Sequence, residues 1–177
     1  MQRATAAVVG PDAIRLAARG DEHAFAQLVA RHHEELLHVC LTVIRDADLA
    51  EDAAQATWVT VWKKLGTLRD PGQLRPWLLA IGVNEARKLA RAGRRRNVVE
   101  IAVRPFGSEP PEKAAEDIDL GNALARLSAD ERGLLALRYV AGLNSTELAQ
   151  ALGLSPSGTR ARLQRLLARL RRELGDG

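Results

Sequence analysis

The stretch LNSTELAQALGLSPSGTRARLQRLLARLRR, residues 143–172, predicts two helices joined by a tight turn. Asn144 or Ser145 can cap the first helix, and Glu147 stands where it would complete a capping box with Asn144. Gly153 follows the first helix and supplies the turn. A short helix, a tight turn and a basic second helix form the arrangement that places one helix in the major groove of DNA.

The second helix of this pair has one basic side. Ser155 suits its N-cap and Pro156 its first position, so the helix should begin there and run to about Leu174. Its apolar stripe consists of Leu163, Leu166, Leu167 and Leu170. The side chains left for solvent or phosphate are Arg160, Gln164, Arg165, Arg169, Arg171 and Arg172. The alternative is an amphipathic surface helix whose arginines are only solvated.

The composition predicts an all-α protein. Hydrophobic residues make up 46% of the chain but aromatic residues only 3%, so its cores must be built from leucine, alanine and valine. Such cores are typical of packed helices. A length of 177 residues suits one or two compact domains.

Charge is segregated along the chain, although the net charge is only +4. Residues 75–104 carry eight cations against two acidic residues, a net +6. Residues 105–131 carry two cations against seven acidic residues, a net −5. Two basic regions are therefore separated by an acidic spacer, a distribution that fits contact with nucleic acid at two places.

A linker divides the chain, because residues 105–111 read PFGSEPP. We expect a loose tail (1–11), a first helical domain (12–96), an acidic, Pro-rich flexible linker (97–116) and a second domain (117–177). Helical periodicity and capping patterns predict helices over 12–18, 22–45, 49–65, 76–94 and 118–127. A further helix should open at the capping box of Ser128 and Glu131 and stop at Gly142.

Several functions are disfavoured by what the sequence lacks. Cys40 is the only cysteine, so no intrachain disulfide can form, and its apolar neighbours predict a small core residue rather than a nucleophile. The four histidines lack metal-ligand spacing. No stretch predicts membrane insertion, a phosphate-cradling Gly-rich loop or a nucleophile elbow. We expect a cytoplasmic protein that is not an enzyme and uses no metal or cofactor.

The order of the motifs resembles bacterial RNA polymerase sigma factors of the extracytoplasmic-function (ECF, group IV) type. The tract GDEHAF (20–25) is similar to the start of their region 2, and LAEDAAQATW (49–58), followed by Val61 and Trp62, to their polymerase-binding helix. PWL (76–78) to Asn84, with the arginines at 91 and 94–96, is similar to their promoter-reading helix. Residues 124–174 resemble region 4. The resemblance implies two helical domains that bring core RNA polymerase to promoter DNA.

For the polymerase interface, the resemblance implies four residues of the third helix: Glu51, Asp52, Gln55 and Trp62. Helical spacing places Asp52 and Gln55 on one exposed face while Ala53, Thr57 and Val61 pack inward. Such an acidic and polar face suits a basic partner. In the family this face meets the clamp helices of the largest polymerase subunit.

For promoter DNA, the resemblance implies that the fourth helix and the loop before it read the minus-10 element. The helix presents Asn84, Arg87, Lys88 and Arg91 on successive turns, and the loop that captures a flipped base offers Arg69, Asp70 and Arg75. The minus-35 residues are expected on the basic helix: Ser157, Arg160, Ala161, Gln164 and Arg165. The departures from the family include Gly82, expected to loosen its helix by about 1 kcal/mol relative to alanine, and Thr159, where valine is usual.

The main alternative is a stand-alone helix-turn-helix regulator. Such a protein would need only the C-terminal domain, would normally bind as a dimer on paired half-sites, and would leave the face of Asp52 and Gln55 without a partner. Under the sigma-factor hypothesis the expected partners are core RNA polymerase, promoter DNA and an anti-sigma factor. We also hypothesise that the acidic linker or the anti-sigma factor covers basic surfaces of the free protein.

Overall fold

The structure, a computed structural model, describes residues 10–97 and 123–175. This part of the chain contains helices and turns but no strand, so the prediction of an all-α fold is confirmed. The first domain holds α1 (Pro11–Ala18), α2 (Glu22–Ile44), α3 (Ala47–Lys64) and α4 (Leu74–Asn97). The second holds α5 (Ala129–Leu135), which continues as a π-helical turn (Ala136–Val140), α6 (Ser145–Leu152) and α7 (Pro156–Gly175).

Helix starts in the first domain follow local capping. The carboxylate of Asp21 accepts a hydrogen bond from the Ala24 amide, 2.8 Å away, and opens α2. The carboxylate of Asp46 accepts a hydrogen bond from the Leu49 amide, 3.0 Å away, and caps α3. The helix α3 therefore starts at Ala47, and the predicted start at Leu49 is wrong by two residues. With this start, Asp48 lies in the first turn of α3.

The helix α4 also begins two residues before its predicted start. Asp70 accepts a hydrogen bond from the Gly72 amide at 2.8 Å and caps a 3₁₀ turn, Pro71–Gln73. That turn leads directly into Leu74, so Pro76 lies in the first turn of α4, where its missing amide hydrogen costs nothing. The order of loop, turn and helix is nevertheless the one expected.

The core of the first domain lies between α2, α3 and α4. Fully buried side chains include Leu36 and Val39 of α2, Val61 of α3 and Leu79 of α4. Cys40 is fully buried among them, which confirms the prediction of a core residue. Burial raises the pKa of the Cys40 thiol to about 12. The thiol is therefore protonated at neutral pH and suited to packing rather than to nucleophilic chemistry.

Cys40 should accordingly be almost inert in the folded protein. With a disulfide reagent such as Ellman's reagent at pH 8, we expect the native chain to react at least about 100-fold more slowly than the chain unfolded in guanidinium, because an ordinary thiol has a pKa near 8.5. The rate of thionitrobenzoate release measures this difference. Equal rates in the native and unfolded states would contradict the burial of Cys40.

The second domain confirms the predicted capping pattern. The capping boxes of Ser128 with Glu131 and of Asn144 with Glu147 are both formed. Gly153 ends α6 in the left-handed conformation, with φ at +64°, and the Ser155 hydroxyl accepts a hydrogen bond from the Gly158 amide at 3.1 Å. Helix, turn and helix therefore lie where the sequence places them. Of the predicted helix 118–127, residues 123–125 are helical, and residues 118–122 lie outside the described residues.

The two domains pack against each other. Arg132, on α5, is buried and donates a hydrogen bond from Nε to the Val43 carbonyl of α2 at 2.6 Å. Gly133 lies so close to α4 that an added Cβ would be 2.7 Å from Val83 Cγ1. The sequence did not predict this docking. The linker proposed over residues 97–116 lies outside the described residues apart from Asn97.

Candidate polymerase and nucleic-acid interfaces

The outer face of α3 has the division of polar and apolar residues that the sequence predicts. Asp52 and Gln55 are exposed, whereas Ala53, Thr57 and Val61 are buried. The Thr57 hydroxyl donates a hydrogen bond to the Ala53 carbonyl at 2.6 Å, so its polar atom is satisfied inside the helix. The face that Asp52 and Gln55 share is therefore open to a partner. Their role in polymerase binding stays a prediction.

Two apolar side chains extend this face toward the C-terminal end of α3. Trp62 is 40% exposed, and its ring meets Phe25 edge to face at a centroid distance of 4.8 Å. Val59 is 54% exposed and was missed by the sequence analysis. Its spacing could have revealed it, because Asp52, Gln55, Val59 and Trp62 follow one another at helical intervals of three, four and three. A large apolar residue in such a stripe is typical of a protein interface.

Glu51 lies at the edge of the same face. Its Oε1 is 3.8 Å from His33 Nε2, and the other ring nitrogen of His33 accepts a hydrogen bond from Trp58 Nε1 at 3.2 Å. The side chains of Trp58, His33 and Glu51 thus form a series of contacts that leads from the core to the surface. The Glu51 carboxylate therefore lies beside this stripe rather than on it.

A cavity of about 460 Å³ lies between α4 and the loop that precedes it. Arg69, Asp70 and Asn84, three of the predicted minus-10 residues, meet at its wall. Trp77, which was not among the predicted minus-10 residues, contributes an aromatic ring to the lining. Across the cavity stands α6 of the second domain, represented by Gln150. The cavity offers a flat apolar ring and several polar groups, which is what an unstacked base requires.

The other four minus-10 candidates form ion pairs or hydrogen bonds with residues of this chain. Arg75 pairs with Glu35 and donates to the Ala141 carbonyl. Arg87 and Arg91 both form ion pairs with Asp130 at 3.1 Å. Lys88 pairs with Glu85 at 2.8 Å on the exposed side of α4. The seven residues therefore do not form one surface in this structure.

Arg87 is the most enclosed of these cations, with 15% of its side chain exposed. Burial, the largest influence, lowers the pKa of Arg87, while the Asp130 carboxylate raises it. The balance lowers the pKa without making the guanidinium neutral near pH 7. The charge is retained and forms an ion pair with the Asp130 carboxylate.

The five predicted minus-35 residues share one exposed face of α7. Their spacing follows helical turns, and all five side chains are exposed: Ser157, Arg160, Ala161, Gln164 and Arg165. On the opposite side Leu166 and Leu170 are buried against the rest of the domain. The helix therefore presents a continuous polar face next to its N-terminus, where a recognition helix meets base edges.

Two family models match this chain. One, described as Sigma-70 region 2, covers residues 28–96, and the other, described as Sigma-70, region 4, covers residues 118–170. The RNA polymerase sigma factor CarQ of Myxococcus xanthus is 32% identical over an alignment of 163 residues, and the alignment covers 89% of this chain and 92% of CarQ. The chain belongs to the sigma-70 family. Its relatives place it among the ECF sigma factors.

A second relative is matched over less than half of its own length. The probable RNA polymerase sigma factor RfaY of Xanthomonas campestris is 33% identical over 169 residues, and the match spans 89% of this chain but 42% of RfaY. Among solved structures, the sigma factor RpoE in complex with the anti-sigma factor NepR from Bartonella quintana aligns with a TM-score of 0.67 and 25% identity. That alignment covers 85% of this chain and 96% of RpoE.

One prediction about the arginines of region 4 is wrong. Arg169, expected to be free for solvent or phosphate, pairs with Glu131 at 2.8 Å and lies 3.5 Å from Glu173. Partial burial raises the pKa of Glu131, but hydrogen bonds from Arg169 and Ser128 outweigh it and the net pKa is lowered. Arg169 thus joins α7 to the capping box of α5 and is structural.

Thr159 offers a simple test of packing in region 4. The residue is 1% exposed, and its hydroxyl has no hydrogen-bond partner among the described residues. Because a buried unsatisfied hydroxyl is costly, we expect Thr159→Val to raise the free energy of unfolding by about 1 kcal/mol. Thermal unfolding followed by circular dichroism measures the change. The control is Thr67→Val, at an exposed hydroxyl that donates to the Lys64 carbonyl, which should not be stabilising. A less stable Thr159→Val variant would contradict this account.

Proposed function

We propose that this chain is an alternative sigma factor that binds core RNA polymerase and directs it to specific promoters. It acts in the cytoplasm and has no catalytic activity of its own. Among residues 10–97 and 123–175, no helix has both the length and the apolar character that a membrane crossing requires. One observation carries the proposal: a single chain exposes a face of acidic, polar and apolar residues on α3 and a separate polar face on α7.

The face on α3 binds the polymerase. Val59 and Trp62 supply exposed apolar area that a partner can bury, which is where most binding energy in interfaces arises. Asp52 next to them, with Glu51 at the edge, supplies the negative charge that selects a basic partner and orients it, and Gln55 adds an uncharged hydrogen-bonding group. A mixed surface of this kind fits a basic helical partner better than it fits DNA, whose phosphates it would repel.

The cavity beside α4 captures a base of the minus-10 element. Taking a base out of its stack costs a few kcal/mol, which stacking on an aromatic ring and hydrogen bonds must offset. Trp77 provides the ring, and Arg69 and Asn84 provide donors. Asp70 positions the loop through its bond to the Gly72 amide rather than by reading the base. Arg75, Arg87, Lys88 and Arg91 contact phosphates or base edges once they are free.

The face on α7 reads the minus-35 element in the major groove. Arg160 or Arg165 can donate two hydrogen bonds to guanine, and Gln164 can pair with adenine, each worth about 1 to 3 kcal/mol of discrimination. Ser157 and Ala161 are small, which allows the helix to approach the base edges closely. We also expect an anti-sigma partner, since the related RpoE was solved in complex with one.

Binding to core polymerase separates this function from that of a stand-alone regulator. In gel filtration we expect the chain to elute with core RNA polymerase as a one-to-one complex, and only that complex should protect a defined site on DNA from nuclease. A regulator would instead protect paired half-sites as a dimer without polymerase. Protection by the free dimer, with no polymerase complex, would contradict the proposal.

A further inference from the structure

Residues of region 4 bind three of the cationic side chains of region 2 that are proposed to contact minus-10 DNA. The Asp130 carboxylate, on α5, pairs with Arg87 Nε and with Arg91 Nη2, each at 3.1 Å. The Asp130 carbonyl also accepts from Arg87 at 3.3 Å. Ala141, at the end of the π-helical turn, offers its carbonyl to Arg75. A carboxylate that bridges two arginines offers them a negative charge and acceptor oxygens, as a DNA phosphate would.

The backbone of region 4 is built for this close approach. Gly133 lies within α5, where glycine weakens a helix relative to alanine. An added Cβ would come within 2.7 Å of Val83 Cγ1 and within 3.1 Å of two nitrogens of Arg87. A glycine at this position therefore brings α5 against α4 and holds Asp130 next to its two arginines. Any larger side chain would push the helices apart.

The docked arrangement cannot serve both promoter elements at once. Elements near minus-10 and minus-35 are centred roughly 25 base pairs apart, or about 85 Å of B-DNA at 3.4 Å per base pair. In the structure α6 of region 4 instead helps to line the minus-10 cavity on α4, through Gln150 and Ala151. The 25 residues numbered 98–122 join the domains, and an extended chain of that length reaches roughly 80 to 90 Å. Separation of the domains is therefore both necessary and possible.

We propose that Asp130 acts as an internal substitute for a DNA phosphate and holds region 4 over the minus-10 surface, so that the free sigma factor is autoinhibited. When the two domains separate, a DNA phosphate takes the place of the Asp130 carboxylate beside Arg87 and Arg91. The same separation uncovers the cavity beside Trp77. The proposal rests on the proposed function for the DNA-binding role of these arginines. It concerns a contact between named groups, and the hypothesis of a masking linker stays a prediction.

The test is the salt dependence of DNA binding by the full chain without polymerase. The probe is a fluorescein-labelled 30-base-pair duplex of arbitrary sequence, followed by anisotropy between 50 and 300 mM salt. Asp130→Asn should free two cations, so log Kd against log salt should become steeper by about 1 to 2, because each phosphate contact contributes about 0.9. Affinity at low salt should rise at least fivefold.

Asp12→Asn is the matched control. Asp12 also lies in the first turn of a helix and pairs with an arginine, but that partner is Arg15 of the same helix. The two variants change the net charge equally, so a general electrostatic effect would appear in both. A slope and an affinity for Asp130→Asn equal to those of Asp12→Asn would overturn the proposal.

A second variant opens the interface and leaves the charge of Asp130 in place. Gly133→Leu keeps a good helix former in α5 but cannot fit against Val83. It should increase the radius of gyration in small-angle scattering and tighten DNA binding in the same direction as Asp130→Asn. If only Asp130→Asn tightens binding while the scattering of both variants matches the wild type, Asp130 merely repels DNA and the proposal fails. Loss of the proposed function would appear separately, as failure to bind core polymerase.

Discussion

Reversing the charge on the α3 face should abolish promoter-dependent transcription without unfolding the protein. Asp52→Arg combined with Gln55→Arg places two cations where we propose a basic polymerase surface binds, and both side chains are exposed, so the core is untouched. Like charges brought together at an interface cost several kcal/mol, which corresponds to an affinity loss of about 100-fold or more. Competition for core polymerase against the labelled wild-type chain measures the loss.

The matched control for this variant changes the same residue types elsewhere on the first domain. Asp12 on α1 and Gln27 on α2 are exposed, so Asp12→Arg with Gln27→Arg alters the net charge equally. We expect the control to bind core polymerase within about threefold of the wild type. If both double variants lost affinity equally, the effect would come from overall charge, and the assignment of the α3 face would be wrong.

Adding one methyl group at Gly82 should destabilise region 2, whereas the same change at Gly93 should not. Both glycines lie within α4, and helix propensity alone favours alanine by about 1 kcal/mol at each position. At Gly82 the new Cβ would be 2.4 Å from Leu36 Cδ1, in a core where Leu36 is fully buried. At Gly93 the nearest atom, Leu49 Cδ1, is 3.9 Å away, an ordinary contact.

We therefore expect Gly82→Ala to lower the free energy of unfolding by about 2 kcal/mol, since overpacking a tight core outweighs helix propensity. Gly93→Ala should raise it by up to about 1 kcal/mol. The three tryptophans, Trp58, Trp62 and Trp77, all lie in region 2, so urea unfolding followed by their fluorescence reports this domain. Stabilisation by Gly82→Ala would show that α2 and α4 do not pack as described.

Gly82 shows which structural features the sequence can predict and which it cannot. The sequence supports the expectation that Gly82 weakens α4, because propensity is a local property. It cannot show that Leu36, 46 positions earlier, occupies the space of a side chain at 82. Local features were predicted well for this reason: the caps at Ser128 and Asn144 and the left-handed turn at Gly153 depend on neighbours within a few residues.

Features that join distant segments were missed. Helical spacing correctly predicted that Asp52 and Gln55 share an exposed face, and it contained the information for Val59, which was overlooked. No pattern indicated that Asp130 would meet Arg87 and Arg91, because these residues are separated by about 40 positions and by the linker. The segregation of charge suggested that acidic and basic segments interact, but not which groups meet.

The central claim is that the chain directs initiation by core RNA polymerase, and multi-round run-off transcription on a fragmented genomic template tests it most directly. With core polymerase and the chain together we expect discrete transcripts that neither component produces alone. Their upstream sequences would reveal the minus-10 and minus-35 elements. Absence of such transcripts, combined with specific DNA binding by residues 116–177 alone, would contradict the account and identify a stand-alone regulator.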